Sequence, residues 1–247
     1  AIFEFITIGI FYFCALMVLV CHSLSMCSSP GEVAKSPVYS KDNRSLYCDK
    51  CDTARPYRSH HCKVCNKCIL KMDHHCPWVA NCVGLYNQKY FFLFLFYATL
   101  GNFIACICLA TEIVHLDLNV RIDKQVTYAE LMLLMKDQLL IILAFMFSLA
   151  MTLSIGFLMI VQYFNMSKDL TTIEAKQYQD GKSPWGIAGD SRRNLKTVLG
   201  DNMLVWLLPS YYNYPDYNKK STATELIEAN YITLDGDDNL NISLTLD

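Results

Sequence analysis

The sequence predicts an all-α integral-membrane helical bundle joined to a cysteine-rich domain of short hairpins. Three observations support this fold class: three long runs without charge, a dense cluster of Cys and His between the first two runs, and an uneven distribution of basic residues. The chain has 247 residues, is 53% hydrophobic and has a formal net charge of −2. This length also allows a soluble domain, so the distribution of charge decides the class.

Three segments contain no charged residue: Phe5–Met26, Phe91–Ala110 and Gln138–Met166. A helix needs about 20 apolar residues to cross about 30 Å of hydrocarbon, and each run reaches that length. Three buried helices of a large soluble core are the alternative, but such helices rarely run this far without a charge. We therefore predict transmembrane helices over residues 1–26, 90–114 and 138–166.

The basic residues predict which side of the membrane each connection occupies. Residues 27–89 carry ten Lys or Arg and the chain after residue 166 carries eight, whereas residues 115–137 carry three. The positive-inside rule then places the cysteine-rich domain and the tail in the cytosol, and the connection on the lumenal or extracellular side. This topology leaves the first residue on the far side, so we expect a fourth span upstream in the full chain.

Composition divides the remaining segments. Ser28-Ser29-Pro30-Gly31 is a helix-stop and turn sequence after the first span. The expected segments are a cytosolic linker (27–47), the cysteine-rich domain (48–89), a short amphipathic connection (115–137), a mixed cytosolic C-terminal region (167–215) and an acidic, solvated tail (216–247). No long internal repeat is apparent.

Residues 48–82 contain seven cysteines and four histidines, in the run CDKCDTARPYRSHHCKVCNKCILKMDHHCPWVANC. In a reducing cytosol, clustered Cys and His indicate metal binding rather than disulfides. Thiolate and imidazole together favour zinc, which takes four ligands in a structural site. The strongest signals are the C-x-x-C pairs Cys48/Cys51 and Cys62/Cys65. The further donors are Cys68, Cys76, Cys82, His60, His61, His74 and His75.

A count of donors predicts a free thiol. Two four-coordinate sites need eight ligands, whereas the cluster offers eleven donors. A reduced cysteine beside a histidine is a candidate nucleophile. Spacing favours Cys76, because Asp73 could orient His74 and His74 could withdraw the thiol proton. The alternative is that the three extra groups are exposed or act as substitute ligands.

This pattern resembles the DHHC-type (zinc finger DHHC domain) protein S-acyltransferases, or palmitoyltransferases. Asp73-His74-His75-Cys76 and the surrounding Cys and His spacings carry the resemblance. Thr171-Thr172-Ile173-Glu174 is similar to the family's TTxE motif, just after the last span. Residues 194–200, followed by Trp206-Leu207-Leu208-Pro209, resemble its C-terminal motif.

The resemblance implies two structural zinc ions in interleaved sites. One site would use Cys48, Cys51, His61 and Cys68. The other would use Cys62, Cys65, His75 and Cys82. Neither site would have an open position for chemistry.

The resemblance also implies an acyl-transfer reaction at the remaining residues. Cys76 would attack the thioester of a long-chain acyl-CoA, palmitoyl-CoA being the expected donor, and the acyl group would then pass to a protein cysteine. His74 would be the general base, oriented by Asp73.

Four further residues are candidates for contacts with the acyl donor. Trp78 would lie near the mouth of an acyl cavity formed by the helices. Gly101 would either allow close helix packing or leave room for the acyl chain. Arg55 and Arg58 would either pair with CoA phosphates or lie exposed on the surface.

The expected partners are the bilayer, acyl-CoA and protein substrates with juxtamembrane or surface cysteines, and no nucleic acid. We expect the Golgi or endoplasmic reticulum, with the plasma membrane as the alternative, and an active site that faces the cytosol. A membrane-anchored cross-brace zinc domain that recruits a protein partner would explain interleaved ligands, but not the extra set of Asp73, His74 and Cys76. The near absence of intramembrane charge argues against a transporter or channel.

The sequence departs from the family pattern at several positions. Three spans are visible rather than four. Ser29 stands where the family usually has Asp, Ala80 where Asn is common, and Leu199 where Phe is usual. None of these changes affects an expected catalytic or metal-binding position.

Overall fold

The structure is a computed structural model that describes residues 2–33, 47–54, 56, 58–122, 127–179, 190–210, 233–234 and 240–241. The helices are α1 (Ile2–Cys27), α2 (Gln88–Ile122), α3 (Tyr128–Ser167), α4 (Thr172–Gln179) and α5 (Ser191–Leu199). The strands are β1 (Tyr47–Cys48), β2 (Thr53–Ala54), β3 (His60–Cys62), β4 (Lys67–Ile69), β5 (His74–Cys76), β6 (Asn81–Val83), β7 (Thr233–Leu234) and β8 (Leu240–Asn241). Short 3-10 helices cover Pro77–Val79 and Met203–Val205.

Three helices are long and apolar enough to cross a membrane, as predicted. Their apolar segments are Glu4–Cys27, Gln88–His115 and Gln138–Ser167, with mean hydropathies of 2.3, 2.1 and 2.4. Large apolar side chains such as Phe147 and Phe157 are exposed on them. This exposure is expected for helices that are surrounded by lipid rather than water.

The helices extend into the connection between the second and third spans, which we expected to be an amphipathic piece over residues 115–137. The apolar segments end at His115 and begin again at Gln138, but α2 continues to Ile122 and α3 begins at Tyr128. This stretch contains neither Gly nor Pro. Nothing in it therefore stops the helices where the apolar residues end.

The described residues form two compact units, and the first comprises residues 1–21 and 92–161. Its core contains Cys14, Met17, Cys21, Leu93 and Tyr97. A Cβ atom at Gly101 would lie 3.4 Å from the Cβ of Cys14. This close approach favours the helix-packing interpretation of Gly101.

The second unit comprises residues 22–91 and 162–247. Its cysteine-rich domain consists of three antiparallel hairpins, β1–β2, β3–β4 and β5–β6, in agreement with the predicted short hairpins. Strands of two or three residues bury little apolar surface, so such a domain needs another source of stability. A fourth pair, β7–β8, lies within the predicted acidic tail. The rest of residues 216–247, and linker residues 34–46, lie outside the described part of the chain.

Asn81, at the start of β6, connects the third hairpin to the end of α1. Its Nδ2 lies 3.2, 3.1 and 3.0 Å from the carbonyl oxygens of Ser25, Met26 and Ser28. The last carbonyls of a helix have no partner within the helix, so Asn81 supplies the missing donor. The third hairpin is thereby fixed to the last turn of α1.

Gly84 allows a close backbone contact just after the third hairpin. A Cβ atom there would lie 2.5 Å from the carbonyl oxygen of Pro30 and 2.7 Å from Cγ2 of Ile69. Only a residue without a side chain fits this approach, which holds the turn after α1 against the hairpins.

Candidate active site and metal centres

Two groups of Cys and His side chains bring potential metal ligands together. The first group is Cys48, Cys51, His61 and Cys68, and the second is Cys62, Cys65, His75 and Cys82. Within each group, one donor atom per residue lies within 4.8 Å of all the others. These are the two sets that the resemblance implies.

The distances between donor atoms fit a tetrahedral ion. The sulfurs of Cys51 and Cys68 lie 3.7 Å apart, and those of Cys65 and Cys82 lie 3.5 Å apart. Two sulfurs bound to one zinc at about 2.3 Å would be separated by about 3.8 Å. His61 directs its Nδ1 atom at the sulfurs, 3.1 Å from Sγ of Cys51. Nδ1 is therefore the histidine atom placed to bind the ion.

The chemistry of the donor set also fits a cation. Burial, together with the neighbouring thiols, raises the pKa of Cys68 and of Cys82 above the ordinary value for a thiol. A cysteine ligand must be a thiolate, and a divalent cation supplies the charge that stabilises several thiolates together. Four protein ligands complete each site, so a bound ion would be structural.

A repeat of 14 residues generates both groups. Each ligand of the second group lies 14 positions after its counterpart in the first. The pairing of strands repeats as well, because His61 lies opposite Cys68 in β3–β4 and His75 lies opposite Cys82 in β5–β6. Sequence reasoning missed this short repeat, although the spacing C-x2-C-x9-H-x6-C is visible twice in the sequence.

A third copy of the metal-binding turn carries Cys76. Asp52, Asn66 and Ala80 all have left-handed backbone conformations, with φ of 48°, 53° and 48°. Each lies four residues after the first cysteine of its turn. In the third turn, Val79 occupies the position of the second cysteine. Cys76 therefore has the backbone setting of a metal ligand without the partner thiol.

Strand β5 separates two kinds of side chain. Successive residues of a strand point to opposite faces. His75 faces the second metal group, whereas its neighbours His74 and Cys76 share the other face, where His74 lowers the pKa of Cys76. This alternation allows adjacent histidines to take different roles.

Asp73 is fully buried and orients His74. Nδ1 of His74 donates to Oδ2 of Asp73 at 2.7 Å. Thr172 donates from its backbone N–H to Oδ1 at 2.6 Å and from its hydroxyl to Oδ2 at 2.9 Å. Gln162 donates from Nε2 to Oδ2 at 2.9 Å. With the proton on Nδ1, the Nε2 atom of His74 is left for Cys76.

The electrostatics of this set favour a charged pair. Burial lowers the pKa of His74, but the hydrogen bonds with Asp73 and Cys76 outweigh burial and raise the pKa to about 9. Burial raises the pKa of Cys76, but His74 and the backbone N–H groups of Val79 and Trp78 outweigh it and hold the pKa below the ordinary value. The arrangement can therefore hold Cys76 as a thiolate beside a protonated imidazole.

The TTxE-like motif forms a capping box at the start of α4. Oγ1 of Thr171 accepts from the backbone N–H of Glu174 at 3.2 Å, and Oε2 of Glu174 accepts from the N–H of Thr171 at 2.9 Å. This reciprocal pair fixes the first turn of the helix. The fixed turn presents the N–H and hydroxyl groups of Thr172 to Asp73.

Four charged side chains connect this turn to the hairpins. The Arg58 guanidinium donates to both carboxylate oxygens of Glu174 at 2.7 Å and to Oδ2 of Asp169 at 2.8 Å. Nζ of Lys71 donates to Oδ1 of Asp169 at 2.7 Å. The side chains of Arg58 and Glu174 are 12% and 1% exposed, and their bidentate pairing is of the strong kind.

The predicted C-terminal motif binds the last residue of α3 through a hydrogen bond. Nδ2 of Asn194, on α5, donates to the carbonyl oxygen of Ser167 at 2.9 Å. Gly200 follows α5 with φ of 100°, a conformation that favours glycine. The motif thus holds the segment that leads into the TTxE-like turn.

The other predicted contact residues lie in varied settings. Arg58 is engaged by two carboxylates, which favours a positioning role over the expected contact with CoA. Arg55 lies outside the described residues. Trp78 is 84% exposed, and its backbone oxygen lies 3.1 Å from Nε2 of His22. Gly101 belongs to the other compact unit.

Sequence reasoning missed three residues around Asp73 and the TTxE-like turn: Gln162, Asp169 and Lys71. Gln162 had a usable signal, because an amide within a long apolar helix is costly unless it has a partner. Asp169 and Lys71 had none, because charged residues outside an apolar run are ordinary in sequence.

Comparison with known proteins agrees with this site. The family model for the DHHC palmitoyltransferase matches residues 41–179, more than half of the chain. Palmitoyltransferase ZDHHC20 of Bos taurus is 36% identical over 188 residues, which cover 73% of this chain and 48% of the relative. Probable protein S-acyltransferase 12 of Arabidopsis thaliana is 30% identical over 165 residues, which cover 67% and 54%.

Probable protein S-acyltransferase 15 of Arabidopsis thaliana is 32% identical over 226 residues, which cover 83% of this chain and 84% of the relative. The chain thus spans about half the length of the first two relatives and most of the third. The matched region contains both metal groups and the Asp73, His74 and Cys76 side chains. The chain belongs to the DHHC palmitoyltransferase family.

Proposed function

We propose that this protein is a protein S-acyltransferase that transfers a long-chain acyl group from acyl-CoA to cysteine thiols of membrane-associated proteins. The observation that carries the proposal is the thiol of Cys76. It lies outside both metal groups, and its pKa is lowered by His74, which the buried carboxylate of Asp73 orients. Relatives named as palmitoyltransferases support the same activity.

The first half-reaction forms a thioester on Cys76. The thiolate sulfur attacks the carbonyl carbon of the acyl-CoA, and a new carbon–sulfur bond forms. The bond between that carbon and the CoA sulfur breaks, and the CoA thiolate takes the proton held on Nε2 of His74. The low pKa of Cys76 favours the attacking thiolate, and the raised pKa of His74 keeps the proton available.

The second half-reaction transfers the acyl group to a substrate protein. Neutral His74 takes the proton from the substrate cysteine, and the resulting thiolate attacks the thioester carbon. Cys76 leaves as a thiolate, and the charged pair with His74 is restored. Asp73 holds the imidazole in the same tautomer throughout.

Zinc is the proposed metal in both groups. Six thiolates and two imidazoles in two four-ligand sites match its preferences. Its contribution would be to hold the three hairpins in place, and thereby the strand that bears Cys76.

The proposed orientation places the cysteine-rich domain in the cytosol, because basic residues concentrate in residues 27–89 and after residue 166. The Golgi or endoplasmic reticulum is the proposed location, with the plasma membrane as the alternative.

The accessible ring of Trp78 remains the proposed contact at the mouth of an acyl cavity. Arg55 remains a proposed CoA contact, and palmitoyl-CoA the proposed donor.

The proposal is tested by incubating the purified chain with labelled palmitoyl-CoA. We expect a hydroxylamine-labile adduct on the wild type and on Cys27→Ser, which removes an exposed cysteine outside both metal groups. We expect no adduct on Cys76→Ser. An unlabelled wild type, or equal labelling of Cys76→Ser, would overturn the proposed activity.

A further inference from the structure

We propose that Gln162 is a positioning residue for the acyl transfer, which holds the Asp73 carboxylate in the orientation that His74 requires. This inference rests on the proposed function, because it concerns the same site. It assigns a role to a residue of α3 that lies 89 positions from Asp73 in sequence.

The Gln162 amide is buried against Asp73. The residue is 2% exposed, and its Nε2 lies 2.9 Å from Oδ2 of Asp73 and 3.3 Å from Oγ1 of Thr172. An ionised carboxylate can only accept hydrogen bonds, so the atom beside it must be the amide nitrogen. Its two N–H groups match the two oxygens.

Gln162 also determines the direction of the Thr172 hydroxyl. That hydroxyl has one hydrogen, and its oxygen lies 2.9 Å from Oδ2 of Asp73. Because Gln162 donates to the hydroxyl oxygen, the hydrogen is directed towards Asp73. Gln162 therefore adds one donor to the carboxylate directly and orients a second.

These donors fix the carboxylate. Oδ2 accepts from Gln162, Thr172 and His74, and Oδ1 accepts from the backbone N–H of Thr172. Rotation of the carboxylate would break several of these bonds together. Oδ2 therefore stays opposite Nδ1 of His74, which leaves Nε2 of His74 directed at Cys76.

Two other polar side chains of α3, Thr152 and Ser154, show a different pattern. The hydroxyls of Thr152 and Ser154 donate to the carbonyls of Ser148 and Ala150 in the preceding turn of their own helix. Such bonds satisfy a hydroxyl locally. The Gln162 amide instead donates outside its helix, to a residue of the active site.

The test compares Gln162→Met with Ser154→Ala in single-turnover acylation by labelled palmitoyl-CoA. Methionine has a similar length and no donor. We expect the maximal rate of thioester formation on Cys76 to fall about 10- to 100-fold, the effect of losing a hydrogen bond to a charged group. The half-saturating concentration of palmitoyl-CoA should stay within about twofold, and both metal ions should remain bound. Ser154→Ala should behave like the wild type.

A wild-type maximal rate in Gln162→Met, or a change confined to the half-saturating concentration, would overturn the role of Gln162. If Gln162→Met loses a metal ion, Gln162→Glu replaces it, because it keeps the shape and exchanges the donor for an acceptor. A wild-type rate in that variant would equally overturn the role. If the wild type forms the adduct and the Gln162 variants form it at the same rate, only this inference is defeated. If the wild type forms no adduct, the proposed function is defeated as well.

Discussion

The second and third hairpins of the cysteine-rich domain have the same strand pairing, but their cysteines have different neighbours. β3 reads His60-His61-Cys62 and β5 reads His74-His75-Cys76, and both strands pair with their partners in the same register. In β3–β4 the cysteine belongs to a metal group. In β5–β6 the equivalent Cys76 faces a histidine instead.

Two substitutions distinguish the copies. Val79 replaces the second cysteine of the turn, so Cys76 lacks the partner thiol. Asp73 stands where the second hairpin has Ser59, so His74 gains a carboxylate that His60 lacks at the preceding position. The third turn, which lacks the second thiol, thus provides a thiolate-stabilising backbone for Cys76, and its sulfur lies outside both metal groups.

The largest expected effect is the difference between substitutions of the two histidines of β5. His75→Ala should lose the second metal ion and disorder the hairpins, because a structural zinc supplies about 10 kcal/mol or more in small domains. His74→Ala should keep both ions and lose thioester formation. Metal content by mass spectrometry and the rate of labelling measure the two outcomes. Two ions bound to His75→Ala would show that the ligand set is wrong.

The next effect concerns the position before each histidine pair. Asp73→Asn should slow thioester formation by about 100-fold or more, since His74 loses the carboxylate that orients it. Ser59→Ala, at the equivalent place of the second hairpin, should leave the rate within about twofold. Single-turnover labelling at saturating palmitoyl-CoA measures both. Equal rates for the two variants would remove the distinction drawn between the hairpins.

The pH dependence of Cys76 labelling should show whether the third hairpin contains a charged pair of His74 and Cys76. His74 has its pKa raised to about 9 and Cys76 has a lowered pKa, so the pair exists between these two values. The stabilisation from a raised histidine pKa is complete below about 6.5 and is lost as pH rises through about 9. We expect labelling of Cys76 to fall above about pH 9 while the metal content stays constant. A rate that keeps rising beyond that pH would contradict the pair.

In Asp73→Asn the labelling of Cys76 should begin to fall at a lower pH than in the wild type, because the variant lacks the carboxylate that raises the pKa of His74. If the loss of labelling occurs at the same pH in Asp73→Asn as in the wild type, a group other than His74 causes that loss.

The smallest effect concerns the left-handed residue of each turn. Ala80 adopts φ of 48°, where the second turn has Asn66 at 53°. Asn tolerates this conformation better than Ala, so Ala80→Asn should stabilise the domain by about 0.5–1 kcal/mol. Asn66→Ala should destabilise it by a similar amount. Thermal unfolding in detergent measures both, and shifts of the same sign would show that the two turns are not equivalent.

Local patterns in the sequence predict much of this molecule. Runs without charge predict the three apolar helices, because length and hydropathy are local properties. The spacing of Cys and His predicts hairpins that bind metal, and the order Asp73-His74-Cys76 predicts the hydrogen-bonded set. The end of α2 and the start of α3 were less predictable, since helices continue beyond their apolar residues unless Gly or Pro intervenes.

Contacts between distant segments could not be predicted in this way. Thr172 and Asp73 are 99 positions apart, and Arg58 and Glu174 are 116 positions apart. The TTxE-like motif marks its residues as notable but does not say which side chains they contact. A contact of this kind depends on how the chain folds back, which no local spacing encodes.

The comparison of Cys62→Ser with Cys76→Ser tests the central claim most directly, because these cysteines occupy the same position in successive copies of the repeat. The measurement is metal content and hydroxylamine-labile labelling on each purified variant. We predict that Cys62→Ser loses a metal ion together with its activity, whereas Cys76→Ser keeps two ions per chain and loses only the label. Loss of metal from Cys76→Ser, or a persistent label on it, would contradict the account.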